Sequence, residues 1–124
     1  MHSADGRLTI TFNGEIYNYR ELRAELERKG HTFRSDSDTE VMLQLYADRG
    51  VAMVEALRGM FAFAIWDGRR LLAARDRFGI KPIYYTVVAG TLYFASEMKA
   101  LLPFLPAIET DAEALADYLT FQYT

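Results

Sequence analysis

The longest apolar run of the chain, Met60–Trp66, is followed directly by Asp67-Gly68 and by a second apolar stretch, Leu71–Ala74. Asp-Gly is the dipeptide preferred at the centre of a tight type I′ turn between antiparallel strands. A helix that crosses a bilayer needs about 20 apolar residues, and this run is far shorter. We therefore predict a β-hairpin inside a folded core, and we expect no membrane partner.

A second hairpin is predicted further along the chain. Ile83–Val88 and Thr91–Ala95 are rich in β-branched and aromatic residues, and Ala89-Gly90 lies between them. Beyond them Ala112–Leu119 has the pattern of a helix, with Asp111 at the position of its N-cap. The second half is thus predicted to form two hairpins followed by a helix.

The first half predicts one strand followed by helices. Hydrophobic and polar residues alternate from Leu8 to Phe12, the period of a half-buried strand, and we expect this strand to end in a turn at Asn13-Gly14. Two residue pairs have the spacing of a capping box, in which each side chain satisfies an N–H group at the helix start: Asn18 with Glu21, and Ser37 with Glu40. The order of elements predicts an α+β fold with a mainly antiparallel sheet.

The composition limits the function classes. Hydrophobic residues make up 51% of the 124 residues and charged residues 25%, as in an ordinary single globular domain. The net charge is −3 and no basic run occurs, so we expect no nucleic-acid partner. The Gly-rich signatures of dinucleotide-binding and phosphate-binding loops are missing. We expect a cytoplasmic protein, because the start lacks the pattern of a signal peptide.

The chain contains no cysteine, which excludes disulfides, zinc–thiolate sites and a cysteine nucleophile among its own residues. His2 and His31 have no partner at metal-ligand spacing, so a metal site is not expected. Ser3 has only the neighbouring His2 to serve as a base, which is too little to define a catalytic serine.

Two polar stretches can be interpreted either structurally or as binding sites. Asn13-Gly14-Glu15 offers two hydrogen-bond donors and a carboxylate, which suits an oxyanion hole beside an ammonium site, but Asn-Gly is also a common turn. Asp38, in Ser35-Asp36-Ser37-Asp38, can cap a helix or hold a substrate amine. From the residues alone both interpretations stay open, and the structural one is favoured.

A third stretch, Arg75-Asp76-Arg77-Phe78-Gly79-Ile80-Lys81-Pro82, combines three cations with one anion at a connection between strands. One interpretation is a solvated loop in which Asp76 pairs with an arginine. A packed, structural loop is favoured over a catalytic one. None of these residues is a nucleophile, so we assign the stretch no catalytic step.

Together, five ordered motifs resemble the glutaminase domain of glutamine-hydrolysing asparagine synthetases: FNGEIYNY, SDSDTEVML, LRGMFAFAIWD, ARDRFGIKPIYY and FASEMKALL. This domain belongs to the class II glutamine amidotransferases, which are N-terminal-nucleophile hydrolases. The resemblance runs from about Leu8 to Tyr123, and the NGEIYN and RDRFGIKP forms favour the asparagine synthetase branch of the class. It implies a layered αββα fold with mainly antiparallel sheets, incomplete in this chain.

The resemblance also implies roles for single residues. In such domains a cysteine thiolate attacks the side-chain amide of glutamine, forms a thioester and releases ammonia. By this likeness the Asn13 side chain and the Gly14 N–H hold the oxyanion, while Glu15 and Asp38 bind the α-ammonium group of glutamine. The arginine-rich stretch corresponds to a structural loop of the family.

The sequence departs from the family pattern at the nucleophile. Family members carry a cysteine after the initiator methionine, whereas Met1 is followed here by His2. The arginine segment expected before Leu8 and the synthetase half with its ATP-pyrophosphatase loop are not found either. We therefore expect residues 1–124 to be part of a class II glutamine amidotransferase domain, truncated at both ends, with no synthetase domain. ATP and magnesium are expected only for that missing domain, and no cofactor for this chain.

The main hypothesis is a part of the glutamine-hydrolysing domain of an asparagine synthetase. The parent enzyme would convert glutamine to glutamate and ammonia, and would use the ammonia to amidate aspartate with ATP. This chain alone is expected to be inactive. The alternative is a module without a nucleophile that binds glutamine or serves assembly without catalysis. A sheet edge exposed by truncation would invite pairing, so assembly predicts a homo-oligomer through that edge.

Overall fold

The computed structural model describes residues 1–122, so Tyr123, where the resemblance ends, lies outside the described residues. The chain divides into two compact units, Met1–Ile83 and Tyr84–Thr124. Each unit has its own antiparallel sheet.

The first unit is built on a three-stranded sheet with the strand order β1-β2-β3. Its elements are β1 (Thr9–Ile16), α1 (Tyr19–Arg28), α2 (Asp38–Arg49), a 3-10 turn (Gly50–Ala52), α3 (Met53–Ala56), β2 (Gly59–Trp66) and β3 (Leu71–Arg75). Ile10 pairs with Ile65 and Gly14 with Phe61, while Ile65 pairs with Leu72 on its other side. All pairs are antiparallel, and the first predicted hairpin is confirmed.

The turn of this hairpin is wider than the sequence predicts. Residues 67–70 connect Trp66 to Leu71, where a two-residue turn was expected. The Asp67 carboxylate accepts the N–H groups of Arg69 and Arg70 at 2.9 and 2.7 Å. These two hydrogen bonds stabilise the longer turn, because the aspartate side chain satisfies backbone N–H groups within it.

Alternation along the strands directs one face of the sheet towards the helices. The buried cluster draws on β1, β2 and the helical segments: Ile10, Ile16, Leu22, Leu26, Val41, Met42, Leu43, Leu45, Met53, Leu57, Phe61, Phe63 and Ile65. Leu22 and Leu26 are the buried side chains of α1, and Tyr19 packs against the same cluster, as their helical spacing predicts. On β1, Asn13 and Glu15 are exposed and project from the opposite face.

The prediction that the first strand ends in a turn at Asn13-Gly14 is wrong. β1 continues to Ile16, and its polar section pairs with Met60–Ala62 of β2. Gly14 has a φ of 149°, and a Cβ there would overlap with the Met60 carbonyl oxygen. Glycine is required at this position by the close approach of two strand backbones, and not by a turn.

Of the two residues predicted to cap a helix in the first half of the chain, one does so and the other does not. Ser37 caps α2 as predicted, because its hydroxyl oxygen accepts the Thr39 N–H at 3.2 Å. Asn18 precedes α1 without capping it through its side chain. Its amide instead donates to the Ala56 carbonyl and accepts the Arg58 N–H, both at 3.0 Å. Asn18 thus ties the start of α1 to the segment that enters β2.

The second unit contains β4 (Tyr84–Val88), β5 (Thr91–Ala95), two 3-10 turns (Met98–Ala100 and Leu102–Phe104) and α4 (Ala112–Phe121). Ala89 and Gly90 both have positive φ, 49° and 78°, as a type I′ turn requires, and the second predicted hairpin is confirmed. Asp111 caps α4 by accepting the N–H groups of Glu113 and Ala114, also as predicted.

Both units combine helices with antiparallel strands, which confirms the predicted α+β class. Parallel strand pairs do not occur in the part of the chain that the structure describes. Among residues 1–122 no helix is long and apolar enough to cross a membrane.

Gly59 tests the close approach of β1 and β2. It stands opposite Ile16, and a Cβ there would overlap with the Glu15 carbonyl oxygen. We expect Gly59→Ala to lower the free energy of unfolding by about 3 kcal/mol, because the two backbones must separate. In the control Gly6→Ala nothing lies within 4 Å of the new Cβ, and only the positive φ costs about 1 kcal/mol. Equal losses of the two variants in urea unfolding would contradict the close approach.

Candidate functional site

The candidate site lies along the edge of β1 that faces away from β2. In an antiparallel strand successive N–H groups point alternately to the two sides. Phe61, opposite Gly14, directs its N–H and its carbonyl to Asp76, at 3.2 and 2.7 Å. Phe61 and Gly14 are therefore not a hydrogen-bonded pair, and the Gly14 N–H points out from the sheet edge. The N–H groups of Ile10 and Ile16, which have the same parity, also bond to groups outside β2.

The first residues of the chain cover one part of this edge. The Met1 ammonium group donates to the Ile10 carbonyl at 2.8 Å, and the Ile10 N–H donates back to the Met1 carbonyl at 2.9 Å. His2 Nδ1 lies 2.9 Å from Thr9 Oγ1, while the Ser3 hydroxyl donates within its own loop. Ser3 and His2 thus bind different partners and form no nucleophile–base pair. The homo-oligomer through a sheet edge stays a prediction.

Asp38 occupies the other end of the edge. It is half-buried at the first residue of α2, and its Oδ2 accepts the Ile16 N–H at 3.1 Å. Its Oδ1 accepts the Thr39 hydroxyl at 3.3 Å. Because Ser37 caps the helix, Asp38 is not needed as a cap, and its carboxylate reaches β1 instead. The positive end of the α2 dipole stabilises the carboxylate there.

The structure brings the residues named from the sequence to one end of β1: Asn13, Gly14, Glu15 and Asp38. Residues 13–15 are consecutive on β1, and Asp38 accepts the N–H of Ile16, the next residue of the strand. An amide side chain and an outward N–H are donors for a developing oxyanion. Two carboxylates are acceptors for an ammonium group. The arrangement therefore has the groups needed to hold an α-amino acid by its amine and to polarise an amide.

The loop that leads into α2 is held by Arg23 and Glu40. Arg23 Nη1 donates to the Ser35 carbonyl at 2.7 Å and forms an ion pair with Asp36 at 3.0 Å. Glu40 accepts the Ser35 N–H and hydroxyl at 2.7 and 2.6 Å, so it does not close the predicted capping box with Ser37. Sequence reasoning missed both roles. The spacing of Glu40 from Ser37 correctly predicted where α2 begins, but Glu40 binds Ser35 and not Ser37. Nothing in the sequence predicted the contact of Arg23 with the loop, because the residue lies on an ordinary polar helix face.

Asp76 supports the site from the far side of β2. Its carboxylate accepts the backbone N–H groups of Phe61, Phe78, Ile80 and Lys81 at 3.0 to 3.2 Å. The interpretation as a solvated loop in which Asp76 pairs with an arginine is therefore wrong, whereas the packed, structural character of this loop is confirmed. The side chain is only 5% exposed. Burial by itself would raise the pKa of Asp76, but the four N–H bonds outweigh it and lower the pKa to about 2.

The fold is that of a glutamine amidotransferase domain. The model of that family, described as a glutamine amidotransferase domain, matches residues 1–124, and the chain belongs to this family. Its curated relatives include asparagine synthetase (glutamine-hydrolyzing) 1 of Bacillus subtilis, 55% identical over 116 residues, which are 92% of this chain and 18% of that protein. Asparagine synthetase (glutamine-hydrolyzing) 3 of Arabidopsis thaliana is 46% identical over 104 residues, 82% of this chain and 18% of that protein.

A solved structure shows the same fold. Glutamine phosphoribosylpyrophosphate amidotransferase from B. subtilis, complexed with ADP and GMP, matches with a TM-score of 0.69 and 27% identity, over 82% of this chain and 24% of that chain. These findings confirm the predicted N-terminal-nucleophile hydrolase type of fold and the resemblance to asparagine synthetases. The chain spans less than a fifth of the length of the two curated relatives, 18% of each.

The stability of the fold should depend on the ionisation of Asp76. Its pKa falls from 3.8 to about 2 on folding, so its contribution is complete above about pH 4 and is lost as the pH falls towards 2. We expect the free energy of unfolding of the wild-type chain to fall over this range. Asp76→Asn should be less stable at neutral pH and should lack this part of the acid dependence.

Urea unfolding at several values between about pH 7 and pH 2.5 measures this dependence. Asp36→Asn is the control, since that side chain is 99% exposed and accepts no N–H from the sheet. Parallel pH profiles of the wild-type chain and Asp76→Asn would show that the bonds to Asp76 do not require its charge.

Proposed function

We propose that this chain is part of the glutamine-hydrolysing domain of an asparagine synthetase and that it binds glutamine at the outer edge of β1. The family and the curated relatives support glutamine as the substrate. In the whole protein the domain would release ammonia from glutamine, and the ammonia would amidate aspartate with ATP. Residues 1–124 would then form part of the class II glutamine amidotransferase domain, and the synthetase chemistry would belong to another domain of such a protein.

The observation that carries this proposal is the hydrogen bond from the Ile16 N–H to the Asp38 carboxylate. It places a carboxylate from the start of α2 beside the strand that carries Glu15. An α-ammonium group suits two such carboxylates, because each N⁺–H···O⁻ bond is charge-assisted. The Asn13 amide and the outward Gly14 N–H lie next along β1, and in this proposal they receive the side-chain amide of the same glutamine.

Asn13 and Gly14 would act on the glutamine amide. When a nucleophile adds to the amide carbon, the carbonyl oxygen becomes an oxyanion, and two donors at about 3 Å stabilise it. Glu15 and Asp38 hold the ammonium group and so orient the amide; we assign them no proton transfer. The chain has no cysteine, so its own residues would bind glutamine without forming a thioester.

The proposal assigns no cofactor to this chain. Among residues 1–122 no group of three or more His, Asp or Glu side chains is placed to hold a metal ion. ATP and magnesium belong, in this proposal, to the synthetase domain. We propose the cytoplasm as the location, because free glutamine and ATP are both available there.

Glutamine binding tests the proposed site. We expect L-glutamine, titrated into the ¹⁵N-labelled chain, to shift the amide resonances of Gly14 and Ile16, with a dissociation constant of about 1 mM or weaker. Glu15→Gln and Asp38→Asn should each weaken binding roughly fivefold, because each replaces a charged acceptor by a neutral group. The control Asp36→Asn removes a carboxylate from the same loop and should leave binding unchanged. Equal effects of the three substitutions, or no shift at Gly14, would count against the site.

Ammonia release tests the consequence of the missing nucleophile. The 124-residue chain is expected to produce no ammonia from glutamine above the buffer background, because it has no cysteine. The glutamine-hydrolyzing asparagine synthetase 1 of B. subtilis is the positive control. Clear turnover by this chain would show that another of its groups attacks the amide.

A further inference from the structure

A cavity of about 230 Å³ lies on the side of β2 opposite to β1. Its lining comes from α3, from the segment that enters β2 and from the loop after β3. Three of the lining residues are arginines: Arg58, Arg75 and Arg77. In a chain whose net charge is −3, three arginines in one cavity lining are a local concentration of positively charged residues.

The carboxylates at the cavity do not pair with these arginines. Asp76 lines the cavity, but its oxygens accept backbone N–H groups. Glu55 also lines it. Within residues 1–122 no ion pair involves either carboxylate or any of the three arginines. Three guanidinium groups against two carboxylates leave the cavity positive.

Hydrogen bonds fix the walls of the cavity. Asn18 Oδ1 accepts the Arg58 N–H at 3.0 Å, and Arg75 Nη2 donates to the Gly79 carbonyl at 2.6 Å. Gly79 has a φ of 64°, and a Cβ there would overlap with the Arg75 guanidinium group. The glycine is therefore what allows this arginine to lie against the loop. Because the backbone around the cavity is held in this way, the ordering that a ligand requires is confined to the side chains.

Phe78 adds an aromatic surface to the cavity lining. Phe78 is 90% exposed. Large apolar side chains that are exposed in this way often mark the binding site of a partner or a ligand. The Phe78 N–H donates to Asp76 at 3.1 Å, so the ring projects from a fixed point. An aromatic residue and several arginines in one lining match a ligand that is both planar and anionic.

We propose that this cavity binds a small planar organic anion, with its phosphate or carboxylate group on Arg58 and Arg77 and its ring against Phe78. Arginine forms bidentate hydrogen bonds with either kind of anion. Ordinary ligand pockets measure roughly 300–1,000 Å³, so a small ligand such as phenyl phosphate is the suitable probe for this smaller cavity. The proposal does not rest on glutamine binding, because the glutamine site uses β1 on the other side of β2.

Phenyl phosphate, benzoate and inorganic phosphate are the probes, titrated into the ¹⁵N-labelled chain at about 0.15 M salt. We expect shifts at Arg58, Arg77 and Phe78, and binding of phenyl phosphate roughly fivefold tighter than that of inorganic phosphate, because only the former can contact the ring. Phe78→Leu should abolish this difference. If benzoate binds more tightly than phenyl phosphate, the ligand is assigned as a carboxylate. If phenyl phosphate binds more tightly, the ligand is assigned as a phosphate.

Arg58→Gln and Arg77→Gln should each weaken phenyl phosphate binding roughly fivefold to tenfold. Arg28→Gln is the matched control: it removes the same charge from the last turn of α1 and should change binding less than about twofold. Thermal unfolding followed by circular dichroism checks that the variants keep the fold. No binding at about 10 mM phenyl phosphate would overturn the proposal. An equal loss in Arg28→Gln would also overturn it, because it would show attraction by net charge alone.

Discussion

The antiparallel pairing of β1 with β2 is the interaction on which both proposed sites depend. Gly14 and Gly59 allow the two backbones to approach where a Cβ would overlap with the carbonyl oxygen of the opposite strand. This approach fixes the register, and the register decides which N–H groups of β1 point out from the sheet. Asp38 accepts the outward N–H of Ile16, and the outward N–H of Gly14 is the one that we propose for the ligand.

Asp76 and Asp38 flank this strand pair and differ in the number of hydrogen bonds that their carboxylates accept. A carboxylate offers about four acceptor positions. Asp76 uses them for four backbone N–H groups and is nearly completely buried, so it has only a structural role. Asp38 is half-buried and accepts one backbone N–H and the Thr39 hydroxyl, so acceptor positions remain for the substrate amine that we propose. The same type of side chain thus has a structural role on one side of β2, and on the other side it has the proposed binding role.

Local patterns in the sequence predicted the elements whose cause is local. Both hairpins, the apolar face of α1 and the caps Ser37 and Asp111 follow from spacing and turn chemistry within a few residues. The errors involve partners far away in sequence. Asn18 bonds to the backbone near α3, and Asp76 bonds to β2, neither of which spacing can reveal. Asn13-Gly14 reads as a turn until the pairing with β2 shows the close contact that requires the glycine. The site residues came from ordered motifs, because no local rule distinguishes a binding carboxylate from a cap.

A crystal structure of this chain with L-glutamine would test the central claim most directly. We predict that the α-ammonium group lies about 3 Å from the carboxylates of Glu15 and Asp38. The amide carbonyl oxygen should lie about 3 Å from Asn13 Nδ2 and the Gly14 N–H. Glutamine bound in the reverse orientation, or bound elsewhere with nothing at the Gly14 edge, would contradict the assignment.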